Sequence, residues 1–402
     1  MKNYNFFSSY NIFIAAFYLY YVISFIDYFL GGNVINYTPA GAITELIFIN
    51  LFIAGSFIAG MAFKTNLTIR TYPKTFTPPS YKGMLYSAYT LILIGLILYA
   101  AFIYIAYGGL GGMLGITDRF ILYQKKKGLG SFLIGLNICY VGILIRLGYY
   151  LLYRKIIKQK FPLIAVIIAL LLLMIQYLNH DRANIIFFLL PLLLIGLYLN
   201  PKFNYHLLYI IPVLLIFMQV VAIERKAKGT QIIYFSEFFS PAKVDKNVYK
   251  NIHDLKISYG RMYIDVILNL PPSWIAPNRP DLPAIWYVKT FFPDIYQKGG
   301  GYGFSIMAES LVNFYFIGPV IFGFLLGILF LYLDRKLLEG SFYYFIIFCA
   351  LQFYVFNIPR SGVASLLKPA LATIIVPVFI VQVLSSYKSK TKDGSGQNQL
   401  LF

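Results

Sequence analysis

The chain is short of charge, and shortest of negative charge. Of 402 residues, 12% are Asp, Glu, Lys or Arg, with 15 acids against 34 lysines and arginines. No soluble domain can be covered with so little polar surface, so the composition implies a polytopic membrane protein. Cysteine is nearly absent. Cys139 and Cys349 both lie inside apolar runs, which reads as buried thiols and not as a disulfide or metal framework. Several motifs are also missing: DxD or any other tight carboxylate pair, a Gly-rich loop ending in Gly-Lys-Ser/Thr, GxGxxG opening a helix, a Cys/His cluster and HExxH. Their absence disfavours ATP hydrolysis, dinucleotide chemistry, zinc hydrolysis and metal-held nucleotide sugars. No cofactor or metal is expected, so any phosphate must be neutralised by side-chain cations.

Hydrophobic residues make up 59% of the chain. They fall into apolar runs of bilayer-spanning length near 10–31, 42–63, 84–107, 131–152, 161–179, 184–199, 205–223, 306–333, 341–357 and 364–385. The prediction is an all-α polytopic membrane protein with about ten transmembrane helices. Asn11 to Leu30 is too long for a signal h-region and is read as a retained first span. The net charge of +19 sits mostly in short alternate loops, among them Lys64, Arg70, Arg154, Lys155, Arg335 and Lys336. That is the positive-inside pattern, so a bilayer is the expected partner and nucleic acid is not. Both termini are then cytoplasmic, and the long polar stretch lies outside. One outer loop breaks the pattern. ITDRFILYQKKKG, at 116–128, is read as an interfacial helix.

The expected organisation is seven spans over 1–223, a large extracytoplasmic loop over 224–305, three spans over 306–385, and a cytoplasmic tail over 386–402 that is disordered after Lys388. Within the loop, Ser240-Pro241 opens a polar helix. GRMYIDVILNL sets Arg261 and Asp265 one turn apart on a second. PPSWIAPNRPDLP is proline-dense and turning. The three glycines at 299–301 mark a hinge or a close backbone approach.

Cations recur at the predicted outer ends of spans: Arg182 in NHDRAN, Arg225 after span seven, Arg261 and Arg279 in the loop, and Arg360 in NIPRSG. Lys368 lies two turns past Arg360 and extends the same positive face inward. Guanidinium binds phosphate oxygens bidentately, so these residues could clamp a pyrophosphate; headgroup snorkelling or local pairing, as of Arg182 with Asp181, is the plainer alternative. Glu309 lies where the chain re-enters the membrane, with Asn313 one turn later. It either pairs with an arginine, or serves as a general base or orients the acceptor sugar. His253, in the polar helix, is a second base candidate, and His180 competes with it. Asp27, Glu45 and Arg146 fall within predicted spans, where each costs about 2.5–3.5 kcal/mol and needs a partner.

The segment GGGYGFSIMAESLVNFYFIGPVIFGFLLG, the arginine in NHDRANIIFFLLPLL, the loop end RMYIDVILNLPPSWIAPNRPD and the late arginine in NIPRSG together resemble the Wzy-type O-antigen and oligosaccharide repeat-unit polymerases. The resemblance covers layout across most of the chain and local sequence only in those patches. It implies a metal-independent, GT-C-like glycosyltransferase of the bacterial inner membrane. Its substrates would be undecaprenyl-pyrophosphate-linked oligosaccharides, with a flippase and a chain-length regulator as partners. It also implies that outer arginines matter, here Arg182, Arg225 and Arg360, with Glu309 in the re-entry segment. O-antigen ligases share the plan, and their loop histidine has His253 as a loose match. A ligase or a lipid-linked oligosaccharide transporter is the alternative.

Overall fold

The computed structural model describes residues 8–29, 39–62, 76, 78–114, 129–157, 160–178, 182–199, 240–271, 275–297, 301–337 and 339–393. Every regular element among them is a helix. Apolar helices come first: α1 (Ser9–Phe29), α2 (Pro39–Ala62), α3 (Tyr81–Tyr107), the short α4 (Leu110–Leu114), α5 (Gly130–Ile157), α6 (Leu163–Leu178) and α7 (Arg182–Leu199). A cap of short helices follows: α8 (Ser240–Lys250), α9 (Arg261–Leu268), α10 (Pro283–Phe291) and α11 (Pro293–Gln297). The chain re-enters the bundle through α12 (Ile306–Phe314), a 3-10 turn (Tyr315–Ile317) and α13 (Gly318–Leu337). It closes with α14 (Phe342–Ala370), a π-helical turn (Leu371–Ile375) and α15 (Val376–Asp393).

Among the described residues, four segments are long and apolar enough to cross a membrane: Tyr81–Tyr107, Phe132–Arg154, Ile306–Leu337 and Phe342–Ser385. Large apolar side chains face outward from α3 (Leu93, Ile97, Tyr104), α6 (Leu170, Met174) and α15 (Phe379, Val383). That surface suits hydrocarbon, not water. In hydrocarbon the hydrophobic effect does not drive helices together, so small residues set the close contacts. Gly323 and Gly327 on α13 lie against Phe52, Ser56 and Ala59 of α2. A Cβ at Gly323 would fall on the Phe52 carbonyl, and one at Gly327 would lie 2.8 Å from Ala59 Cβ. Gly323→Leu therefore forces the two helices apart. The expected cost is about 1–3 kcal/mol, seen as a lower unfolding temperature in detergent. Gly196→Leu is the control, because a Cβ there meets nothing within 4 Å.

Among the described residues the bundle holds two cores. One joins α3, α5, α6 and α7 to α14 and α15. The other joins α1, α2, α12 and α13 to the cap helices α8, α9 and α10, so the cap is packed into the bundle and not tethered above it. At the end of the bundle away from the cap, Asp334 accepts the Ser9 amide at 2.8 Å and closes the start of α1.

Phe342–Ser385 folds into a hairpin. The Tyr354 and Thr373 hydroxyls are 3.0 Å apart, and the Tyr343 hydroxyl meets that of Ser385. Both pairs are centred just past Gly362, whose φ of 70° and ψ of 171° break the helix. The second limb of α14 therefore runs back along the first, and the turn expected at NIPRSG is made by one glycine. Phe187 of α7 packs on Phe353 and Tyr354, and Tyr198 packs on Phe345. Helix α7 is thus antiparallel to the first limb, and Arg182 opens it at the end where the hairpin turns.

Two expectations are corrected. The run 306–333 is not one helix. Tyr315, at φ 55° and ψ −147°, separates α12 from α13, and a Cβ at Gly318 would fall on the Ser310 carbonyl. The chain doubles too tightly there for a continuous helix. The tail is not irregular from Lys388, because α15 runs to Asp393. The predicted span at 205–223, the interfacial segment at 116–128, and Gly299 and Gly300 lie outside the described residues.

Candidate functional site

Helix α12 is buried from Ile306 to Asn313, although it carries an acid and an amide. Ser305 caps it, taking the Ala308 amide at 3.1 Å, and Asp245 Oδ1 of α8 takes the same amide at 3.1 Å. Asn313 donates to the Glu309 carbonyl at 2.8 Å and accepts from Ser258 Oγ at 2.7 Å. The cap residue Ser258 therefore fixes one end of α12, and Asp245 fixes the other.

Glu309 projects from this helix with no exposed surface. The Tyr263 hydroxyl of α9 donates to its Oε1. The Ala364 amide lies 3.2 Å from Oε1 and 3.3 Å from Oε2. Ala364 begins the second limb of α14, so Glu309 caps that limb, a position where negative charge meets unsatisfied amides and the helix dipole. Burial, and then the adjacent Glu309 carboxylate, push the Tyr263 phenol well above its usual range, so it stays a donor. Gly362 is needed for this contact, because a Cβ there would collide with the Glu309 carboxylate and lie 2.9 Å from the Phe304 carbonyl. The geometry makes Glu309 a cap enclosed by protein.

Arg360 lies two residues before the reversal and is half-buried. Its carbonyl is approached so closely by Gly303 that a Cβ there would lie 2.6 Å away. Beyond the reversal, Lys368 donates to the Asn269 carbonyl and, at 3.1 Å, to Asn269 Oδ1. Arg279 donates to the Pro271 carbonyl at 3.0 Å and lies close enough to Lys368 for their charges to repel. Asn269 in turn donates to the Pro280 carbonyl at 2.6 Å. The proline-dense turn is thus tied to the hairpin by two neighbouring cations whose hydrogen bonds go only to neutral oxygens. Neither takes part in an ion pair among the described residues.

Of the residues singled out in the sequence, Glu309, Arg360, Lys368 and Arg279 come to this end of the bundle, and α7 begins there with Arg182. The side chain of Arg182 and all of Arg225 lie outside the described residues, as do His180 and the side chain of Asp27. Arg261 points away: its side chain is 77% exposed and pairs with Asp265 at 3.7 Å, the i,i+4 pair expected from the spacing. His253 is exposed, with Nδ1 3.2 Å from the Tyr315 hydroxyl. That contact lies past the end of α12, away from Glu309. Three residues that matter here escaped the sequence reading: Tyr263, Asn269 and Asp245. For Asp245 a signal existed, since it shares a helical stripe with Ala242, Val248 and Ile252. The chain matches no family model, no curated protein and no solved structure.

Proposed function

We propose that the protein is a GT-C-like membrane glycosyltransferase of about ten spans. It joins undecaprenyl-pyrophosphate-linked oligosaccharide units into O-antigen or capsular polymer at the outer face of a bacterial inner membrane, with both termini cytoplasmic. The observation that carries the reading is the pair of cations, Arg279 and Lys368, in no ion pair among the described residues and set beside the tip that bears Arg360. Like charges held together without a carboxylate suit an anion carrying several oxygens, and a pyrophosphate at the lip of the bundle is such a group.

In the reaction, the acceptor sugar hydroxyl attacks the anomeric carbon of the donor. The bond from that carbon to pyrophosphate breaks, and its electron pair leaves with the pyrophosphate oxygen. Pyrophosphate leaves readily, so the protein's part is to stabilise the developing charge with Arg360, Arg279 and Lys368. The acceptor's proton must pass to a base, and His253 is the described imidazole on the cap. Glu309 acts indirectly, by holding the limb on which Lys368 sits and the turn that follows Arg360.

The test is turnover of lipid-linked oligosaccharide by purified protein in lipid nanodiscs. Growing polymer with release of polyprenyl pyrophosphate is expected. Arg360→Ala should lower the rate at least about 10²-fold, the scale for removing one transition-state donor. Transfer only to a lipid A acceptor would make the protein a ligase. Absence of any transfer, with movement of the oligosaccharide across a sealed bilayer, would make it a transporter.

A further inference from the structure

We propose that Glu45 and Asp245 hold one proton between them, and that this acid pair is the joint that seats the cap on the bundle and sets the position of α12. The effect on catalysis rests on the function proposed above. The shared proton does not.

Glu45 comes from α2 and Asp245 from the cap helix α8. They are 5% and 2% exposed, line the same pocket and interact with each other. The Ser305 hydroxyl and the Ala308 amide both donate to Asp245 Oδ1. Asp245 Oδ2 and Glu45 Oε1 are buried and, among the described residues, receive no hydrogen-bond donor. Buried acceptors in contact cannot be left in that state without cost, and a proton between them satisfies both. A pocket of about 20 Å³ adjoins the pair, lined also by Thr44, Phe48, Lys246 and Tyr249. It is large enough for one water and so offers a way for a proton to enter. The other groups facing the pair are the Tyr21 hydroxyl of α1 and the Tyr287 phenol of α10. Lys246, which lines the pocket, is a cation beside the pair.

Burial pushes the Asp245 carboxyl up to about 6. An acid raised in the folded state stabilises the fold in its protonated form. That contribution is complete below the unfolded carboxylate range of about 4 and declines as the pH rises through about 6. Two carboxylates in contact resist double ionisation, so the last proton leaves at a higher pH than the first. When it goes, the charges repel across the α2–α8 contact. Asp245 then pulls on Ser305 and Ala308, the cap of α12, and α12 carries Glu309, which holds the hairpin tip.

The test is infrared spectroscopy of the full chain in nanodiscs across a pH titration. A carboxylic-acid C=O band should be present at neutral pH, vanish on alkalinisation, and be missing in Glu45→Gln. The unfolding temperature of the wild type should fall over the same alkaline range. Turnover should fall with it, by about tenfold per pH unit beyond the last titration, and Glu45→Gln, whose amide donates to Asp245 without titrating, should flatten both declines. An identical band in wild type and Glu45→Gln, or an unchanged alkaline decline in that variant, would overturn the proposal. So would a decline that moves with added Mg²⁺ or Ca²⁺ at fixed pH, because a metal ion would then occupy the site. If band and unfolding behave as expected but no glycosyl transfer occurs at any pH, the joint stands and the functional reading falls.

Discussion

Gly362→Ala is expected to cost on the order of 3 kcal/mol or more and to abolish turnover. Two penalties combine. The backbone at φ 70° and ψ 171° lies where side chains are strained, at about 1–3 kcal/mol. The added methyl also collides with the Glu309 carboxylate and sits 2.9 Å from the Phe304 carbonyl, an overpacking of about 1–3 kcal/mol. The reversal cannot yield easily, because its limbs are joined at Tyr354–Thr373 and Tyr343–Ser385. Glu309→Ala alone is expected to cost about 1–3 kcal/mol, since it strips acceptors from Tyr263 and Ala364. With both substitutions the methyl has room, and only the backbone strain remains. The double variant should therefore lose at least about 1 kcal/mol less than the two single losses together. Thermal unfolding of all four proteins in one detergent measures this. Strict additivity would mean that the carboxylate does not press on the turn.

Much of this architecture was legible, because length of apolar run is a strong signal in a bilayer. The runs at 84–107 and 184–199 became α3 and α7, with ends moved by about three residues or fewer. The break at Tyr315 was not legible. Composition is apolar on both sides, and only the packing of Gly318 on the Ser310 carbonyl imposes it. NIPRSG reads as a turn, yet the helix passes through Pro359 and reverses at Gly362, where a positive φ, not the missing amide, is decisive. Glu309 stood out as an acid at the membrane's lip. Whether such an acid meets a guanidinium or a helix N-terminus depends on which limb folds over it, and sequence spacing does not encode that. Asp245 was hidden because α8 reads as a lysine-rich polar helix, and its pairing with Glu45 joins segments 200 residues apart. The Arg261–Asp265 pair, one turn apart, was plain because it is local.

Removing charge at Arg279 and Lys368 while keeping hydrogen-bond donors separates an anion site from a structural tie. Glutamine at both positions can still donate toward Pro271 and Asn269, so the fold should hold and the unfolding temperature should change little. Binding of a polyprenyl pyrophosphate should not survive. Hydrogen bonds to charged groups contribute about 1.5–3 kcal/mol each, so losing two predicts a loss of about 3–6 kcal/mol, or about 10²- to 10⁴-fold in affinity. Farnesyl pyrophosphate is a manageable probe, titrated calorimetrically into the full chain at rising NaCl. The wild type should weaken steeply with salt, and the double variant should bind feebly with little salt dependence. Equal affinity and equal salt dependence in the two proteins would leave the cations as ties for the proline-dense turn and nothing more. The physical reason to expect otherwise is their mutual repulsion. A tie to carbonyl oxygens needs only one donor, neutral or charged, and a fold gains nothing by setting two like charges side by side unless something negative comes between them.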